Sequence, residues 1–348
     1  MPSFVLACPL CAAHLDSALS CSACARDYSY HDGIYRFLLP ERQEALQSFM
    51  SQYRLIRNSD GYRSRPAQYY RSLPDIDPRD PQAQTWRVRA ETFEHLLRQL
   101  VRYFGPTPAR SLAALGAPSK SAQGSSSGAT SNSDEACARF SASLAVLDLG
   151  SGNGWLSNRL AALGHRCVAV DCSDDAEDGL GAFVHYSTPF TCVQADFDQL
   201  PFARHQFDVV IFNASLHYSP DVLATLHRAN NLLLPGGALV VMDSPTFRSA
   251  TSGQRMLAEQ SAQLRAQSGM AQLAMLGVGY LTAETIITAG RQLGSDFQFT
   301  PSRGSFGWAM RRLLAGFKRR REPASFGLWH SRAERSLRQK DPDELAAR

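Results

Sequence analysis

The stretch VLDLGSGNGW, Val146 to Trp155, decides how this chain is read. An apolar run closes on Asp148, and glycine then falls at every second position: Gly150, Gly152 and Gly154. Such a run breaking into a glycine turn predicts a buried parallel strand that feeds a loop and a helix. Glycine takes positive φ and has no Cβ, so the backbone there can lie against a ligand. A loop at the carboxyl end of the first strand of an α/β sheet is where nucleotide-like ligands bind. A phosphate-binding loop needs Lys-Ser or Lys-Thr after its last glycine, but Gly154 is followed by Trp155 and Leu156. A dinucleotide fingerprint needs glycine at positions one, three and six, and the sixth position from Gly150 is Trp155. What remains is acid-x-Gly-x-Gly-x-Gly, either a ligand-binding loop of another kind or a turn that only packs a helix on a strand.

Downstream runs argue for the ligand. GHRCVAVDCS holds Cys167 to Val170, ending at Asp171. An acid about twenty residues past a glycine loop is placed to accept hydrogen bonds from a ribose diol. TCVQADF ends at Asp196, and FDVVIFNASLHY predicts a fourth strand at Val209 to Phe212. LLLPGG, Leu232 to Gly237, reads as a helix end and turn into a fifth strand, Ala238 to Met242. From Leu144 to about Asp243 these motifs resemble the type 11 family of class I methyltransferases, which use S-adenosylmethionine. The resemblance implies an α/β fold: a Rossmann-like, seven-stranded methyltransferase sheet with helices on both faces. It also implies cofactor contacts from Asp148, Gly150, Ser151, Gly152, Gly154, Asp171, Cys172, Asp196, Phe197 and Asn213. Asp196 would face the adenine amino group, and Phe197 would sit beside the ring.

Methyl transfer from a sulfonium is an in-line displacement, so alignment and exclusion of water dominate. Positioning alone is worth roughly 7–11 kcal/mol. A general base is needed only for an acceptor that is protonated at working pH. His217, just past the fourth strand, is the candidate by position; its alternative role is to order the loop. Asn213-Ala214-Ser215-Leu216 lacks the prolines of the Asn-Pro-Pro-Tyr tetrad of exocyclic amine and amide methylases. Cytosine C5 methylation needs a nucleophilic cysteine in a Pro-Cys pair, whereas Cys8-Pro9 is reversed. A small-molecule or lipid-like metabolite is the expected acceptor, with rRNA or tRNA base methylation as the alternative.

A second site is legible at the amino terminus. Cys8, Cys11, Cys21 and Cys24 form C-x2-C-x9-C-x2-C, a spacing that can place four thiolates around one Zn2+. The short run FVLA lacks the charged leader and cleavage site of a secretory signal, so a cytoplasmic setting and metal rather than disulfides are expected. Four thiolates leave no open position, so the zinc would be structural. Residues 1–40 resemble the zinc ribbon of the tRNA-methyltransferase activator type.

The rest of the chain is read more coarsely. Its 348 residues allow two domains and a large core, and no apolar run is long enough to span a bilayer. A net charge of +4 gives no global attraction to nucleic acid. Residues 41–106 read as a helical segment, with a core stripe at Phe93, Leu96, Leu97, Leu100 and Phe104. Residues 107–143 read as a flexible Ser/Gly/Ala-rich insertion. The methyltransferase domain would occupy 144–330, with a helical insertion at about 250–293 and late strands at Phe297 to Thr300 and Phe326 to His330. The basic stretch 311–321 would be a solvated helix face or a contact for RNA or an anionic membrane, and residues 331–348 a charged tail.

Overall fold

In the computed structural model of the chain, residues 4–105, 143–268, 274–305 and 320–332 are described, with isolated positions between 306 and 319. Four short strands come first: β1 (Ser20–Cys21), β2 (Arg26–Asp27), β3 (Ser29–His31) and β4 (Ile34–Arg36). Three helices follow, α1 (Pro40–Ser59), α2 (Ala67–Ser72) and α3 (Ala83–Phe104). The α/β part runs β5 (Ala145–Leu149), α4 (Trp155–Ala162), β6 (Arg166–Asp171), β7 (Thr191–Gln194), β8 (Phe207–Asn213), α5 (Val222–Asn230) and β9 (Leu233–Met242). It continues through β10 (Thr246–Phe247), α6 (Ala250–Ser268), β11 (Leu281–Thr282), α7 (Ala283–Gln292), β12 (Gln298–Pro301) and β13 (Gly327–Arg332).

The main sheet has the order β12-β13-β9-β8-β5-β6-β7-β4-β3. Strands β5 to β9 are parallel, and β13 and β12 close one side antiparallel. These seven make the α/β Rossmann-like sheet. The two further strands come from the amino-terminal hairpin: β4 pairs parallel to β7, with Ile34 opposite Cys192. The β4–β7 pairing is non-local, so neither segment advertises it. It makes the amino-terminal unit an extension of the main sheet.

Period-two alternation sends successive side chains to opposite faces. Leu147, Leu149, Val170 and Val210 pack with Leu226 of α5, Ile286 of α7 and Phe37 behind β4. Val146, Val209, Ile211 and Val240 pack with Trp86, Leu96 and Leu100 of α3 and Leu156 and Leu160 of α4. The sheet is thus covered on both faces, as a parallel sheet must be. The turn expected at Leu232 to Gly237 is absorbed into β9, which begins at Leu233. A register shift between Phe207 and Val209 accommodates it, with Gly236 at φ +79°.

The expected insertion at 107–143, except Ser143, lies outside the described residues, as do the tail beyond 332 and most of the basic stretch. Of that stretch, Arg321 is described and pairs with Glu259 at 2.9 Å. Among the described residues no helix is long and apolar enough to cross a membrane.

Candidate active site

The glycine loop bends over the end of the neighbouring strand. The amides of Gly150 and Ser151 both donate to the Val170 carbonyl, at 2.8 and 3.0 Å. The Gly152 amide donates to Asp171 Oδ2 at 2.8 Å, and the Ser173 amide donates to Oδ1 at 2.8 Å. Asp171 therefore shapes the loop while its carboxylate still faces the cleft. Burial, reinforced by Asp178, pushes its carboxyl up to about 6, although the two amides oppose the shift.

The loop opens onto a cleft of about 270 Å³. Gly150, Ser151, Gly152, Asp171, Cys172, Asp196, Phe197 and Asn213 all line it. Two buried polar atoms there have no hydrogen-bond partner, Ser151 Oγ and Asn213 Oδ1. A Cβ on Gly152 would meet nothing closer than the Asp178 carbonyl at 3.8 Å, so the space above it is open to a ligand. Unsatisfied polar atoms beside open space fit a polar, adenosyl-sized guest.

Three expected site residues, Asp148, Gly154 and His217, lie off the cleft. Asp148 does not line the cleft. It lies under the loop, accepting from Ser157 Oγ at 2.9 Å, because its strand position sends it toward α4. Burial pushes its carboxyl up to about 7. Gly154 is likewise off the cleft: it is the left-handed residue before α4, where a Cβ would strike Phe190 at 2.8 Å. His217 is the third. Its Nδ1 lies 3.2 Å from Ser244 Oγ and its ring tilts over Tyr218 at 4.1 Å. Burial first, and the Arg89 charge second, push it down to about 3. In a single 3₁₀ turn, Leu216–Tyr218, adjacent side chains diverge, and it is Tyr218 that faces the cleft. A base this weak is poorly matched to neutral pH. His217→Gln is therefore expected to keep turnover within about threefold of the parent, with an unchanged pH profile. A loss of 100-fold or more, with the acid limb of the profile removed, would restore His217 as the base.

Asp196 lines the cleft but already has a partner: Arg42 Nε donates to its Oδ2 at 2.7 Å. Arg42 begins a roof that the sequence reading missed. Along α1, Arg42, Leu46, Phe49, Met50, Tyr53 and Arg57 all face the cleft. Phe49 and Tyr53 meet Tyr218 edge-on, at 5.3 and 6.1 Å between centroids. Arg57 Nη2 reaches Asp178 Oδ1 at 2.8 Å, and Arg63 grips Asp175 at 2.7 and 3.1 Å. Both Arg57 and Asp178 are largely buried, so breaking this pair from one side is expensive. The signal was available: apolar and arginine residues at helical spacing in α1, opposite the acidic run Ser173 to Asp178.

At the amino terminus the sulfurs of Cys8, Cys11, Cys21 and Cys24 lie within 4.8 Å of one another, and Cys11 and Cys21 Sγ are 3.6 Å apart. A tetrahedral ion with metal–sulfur bonds near 2.3 Å would separate its sulfurs by about 3.8 Å. The Tyr28 hydroxyl lies 3.2 Å from Cys8 Sγ, placed to donate to a thiolate. The donor set therefore fits one closed four-thiolate site. The backbone anchors this unit beside Asp196: the Ala7 amide donates to the Pro201 carbonyl and Ala203 to Val5.

Residues 147–241 match the family model described as a methyltransferase domain. A demethylmenaquinone methyltransferase of Corynebacterium urealyticum is 37% identical over 101 residues, 29% of this chain and 42% of the relative. A ubiquinone biosynthesis O-methyltransferase of Paramagnetospirillum magneticum is 32% identical over 116 residues, 31% of this chain and 43% of the relative. The chain thus spans less than half the length of these relatives. Among solved structures, the Burkholderia thailandensis 1,6-didemethyltoxoflavin-N1-methyltransferase is 17% identical. That likeness covers 55% of this chain and 72% of that one, with a TM-score of 0.37.

Proposed function

Starting from a methyltransferase domain in this chain, we propose that the protein transfers a methyl group from S-adenosylmethionine to a small-molecule acceptor. The carrying observation is the cleft itself: a glycine loop tied to Asp171, with unpartnered Ser151 Oγ and Asn213 Oδ1 facing the same space. The cofactor supplies an electrophilic methyl on a positively charged sulfur. Asp171 would hold the ribose diol, Phe197 would flank the adenine, and Ser151 and Asn213 would use their free acceptor positions. Asp196 contributes to that end only by sharing its carboxylate with Arg42. Phe49, Tyr53 and Tyr218 form an apolar wall from the roof and from the loop after β8. That wall orients a flat acceptor and keeps water from the reacting centre. No side chain needs to form a covalent intermediate.

The roof would be held by the zinc ribbon. With Zn2+ bound to Cys8, Cys11, Cys21 and Cys24, the ribbon fixes β4 on β7 and delivers Arg42 to Asp196. The role is structural, because a closed four-thiolate set leaves no position for substrate. The names of the related methyltransferases point to ring-bearing small molecules, and no observation favours RNA.

Asp171 gives the reading a pH signature. With its ligand-free value near 6, the carboxyl gains a proton as pH falls through 6 and loses its acceptor capacity. Affinity for S-adenosylhomocysteine is expected to be flat above about pH 7 and to fall up to roughly tenfold per unit below 6. Asp171→Asn should bind weakly and without this dependence. A parent affinity constant from pH 5 to 8 would count against the assignment. For the activity, the chain is incubated with methyl-labelled cofactor and fractionated extract. Label is expected in low-molecular-weight products; label only in RNA or protein would contradict the acceptor class.

A further inference from the structure

We propose that Arg89 receives a ligand carboxylate at the end of the cleft remote from Asp171, an assignment that rests on the methyltransferase reading above. Five arginines line the cleft: Arg42, Arg54, Arg57, Arg63 and Arg89. Four have a carboxylate oxygen close by. Arg42 reaches Asp196 at 2.7 Å, Arg54 Asp175 at 3.1 Å, Arg57 Asp178 at 2.8 Å and Arg63 Asp175 at 2.7 Å. Arg89 has no ion pair or hydrogen bond among the described residues. Its guanidinium carbon sits 4.8 Å from the Trp86 ring centroid. A guanidinium placed over an aromatic face keeps its N–H donors available to a ligand.

The position separates two ends of the cleft. Asp171 ends β6, and Asp196 follows β7. Arg89 is on α3, which packs on β13, and the strand order puts β13 on the far side of β5 from β6 and β7. Trp86, which carries the Arg89 stack, meets Trp155 edge-on at 5.6 Å, at the exit of the glycine loop. The nearby acid, Asp243, feels the Arg89 charge but is 5% exposed and engaged by Thr92 Oγ1 at 2.7 Å. It lies beyond ion-pair distance and does not neutralise the guanidinium. One end of the cleft thus offers carboxylates to hydroxyl and amino donors, and the other offers to an acid a guanidinium fork without a carboxylate partner among the described residues. A guanidinium edge accepts a carboxylate with two parallel hydrogen bonds. That carboxylate could belong to the aminoacyl part of the cofactor or to the acceptor.

Two ligand pairs distinguish the sources. S-adenosylhomocysteine carries the aminoacyl carboxylate, and 5′-methylthioadenosine lacks it. On the chain saturated with S-adenosylhomocysteine, 1-naphthoate and 1-naphthamide probe the acceptor side. Parent, Arg89→Met and Arg89→Lys are titrated with each, with melting temperature as a check on folding. Arg89→Met is expected to weaken one carboxylate ligand about tenfold or more while its carboxylate-free analogue stays within twofold, and Arg89→Lys should fall between. Loss confined to S-adenosylhomocysteine assigns the cofactor carboxylate; loss confined to naphthoate assigns the acceptor. Equal weakening within a pair, or no weakening of either acid, overturns the inference. If the parent binds neither adenosyl compound, the methyltransferase reading fails, and the inference fails with it.

Discussion

Gly150→Ala is expected to destabilise the chain by about 2–5 kcal/mol, whereas Gly152→Ala two residues on should cost about 1–2 kcal/mol and chiefly impair binding. Both glycines have positive φ, +71° and +54°, so each alanine carries the penalty of a left-handed backbone. The difference lies in what the new methyl meets. At Gly150 it would lie 2.3 Å from Ser215 Cβ and 3.1 Å from Phe197 Cζ. Ser215 cannot retreat freely, because its hydroxyl donates to the Leu149 carbonyl inside the core. At Gly152 the methyl enters open space on the cleft wall and competes with the ligand instead. Denaturant midpoints and S-adenosylhomocysteine titrations of the two variants check this. A similar stability loss in both, or unimpaired binding by Gly152→Ala, would contradict the account.

Cys21→Ser is the second large effect. Structural zinc contributes apparent free energies of about 10–16 kcal/mol in zinc-finger peptides, so losing one thiolate of four should release the ribbon. Here the damage would spread. The ribbon supplies β3 and β4 to the sheet and leads directly into α1, with Phe37 and Leu39 buried in between. Releasing it frees Arg42 from Asp196 and slackens the roof. The expected result is a parent with one zinc per chain, a variant with none, a melting temperature lower by about 10 °C or more, and weaker cofactor binding. Metal analysis and thermal scans read both. A parent without metal, or a variant with unchanged melting, would remove the ribbon from the account.

The central sheet was legible because its strands are compact apolar runs that mostly end beside a glycine or an acid, with β8 ending at Asn213. The late strands were displaced by one or two residues, to Gln298–Pro301 and Gly327–Arg332. The placement of Asp171, Cys172 and Asn213 on the cleft follows from their positions at strand ends. Asp148 was misjudged although alternation along β5 could have shown it, since it shares a face with Val146 rather than with the ligand side. The direction of His217 was not legible for a harder reason: in a one-turn helix, spacing does not say which neighbour faces the cleft. The roof was missed because its cleft face mixes arginines with apolar residues, which dilutes the hydrophobic stripe. Those arginines are explained only by acids more than a hundred residues away, Asp196 for Arg42 and Asp178 for Arg57. The pairing of β4 with β7 is of the same kind, set by a long-range contact with no local signature.

The most direct test is a calorimetric titration of the purified full chain with S-adenosylhomocysteine near neutral pH. A saturable heat at one molecule per chain, strongly reduced in Asp171→Asn, is the predicted result. No heat with the folded, zinc-loaded parent would contradict the claim that the glycine loop, Asp171 and the α1 roof together enclose an adenosyl cofactor.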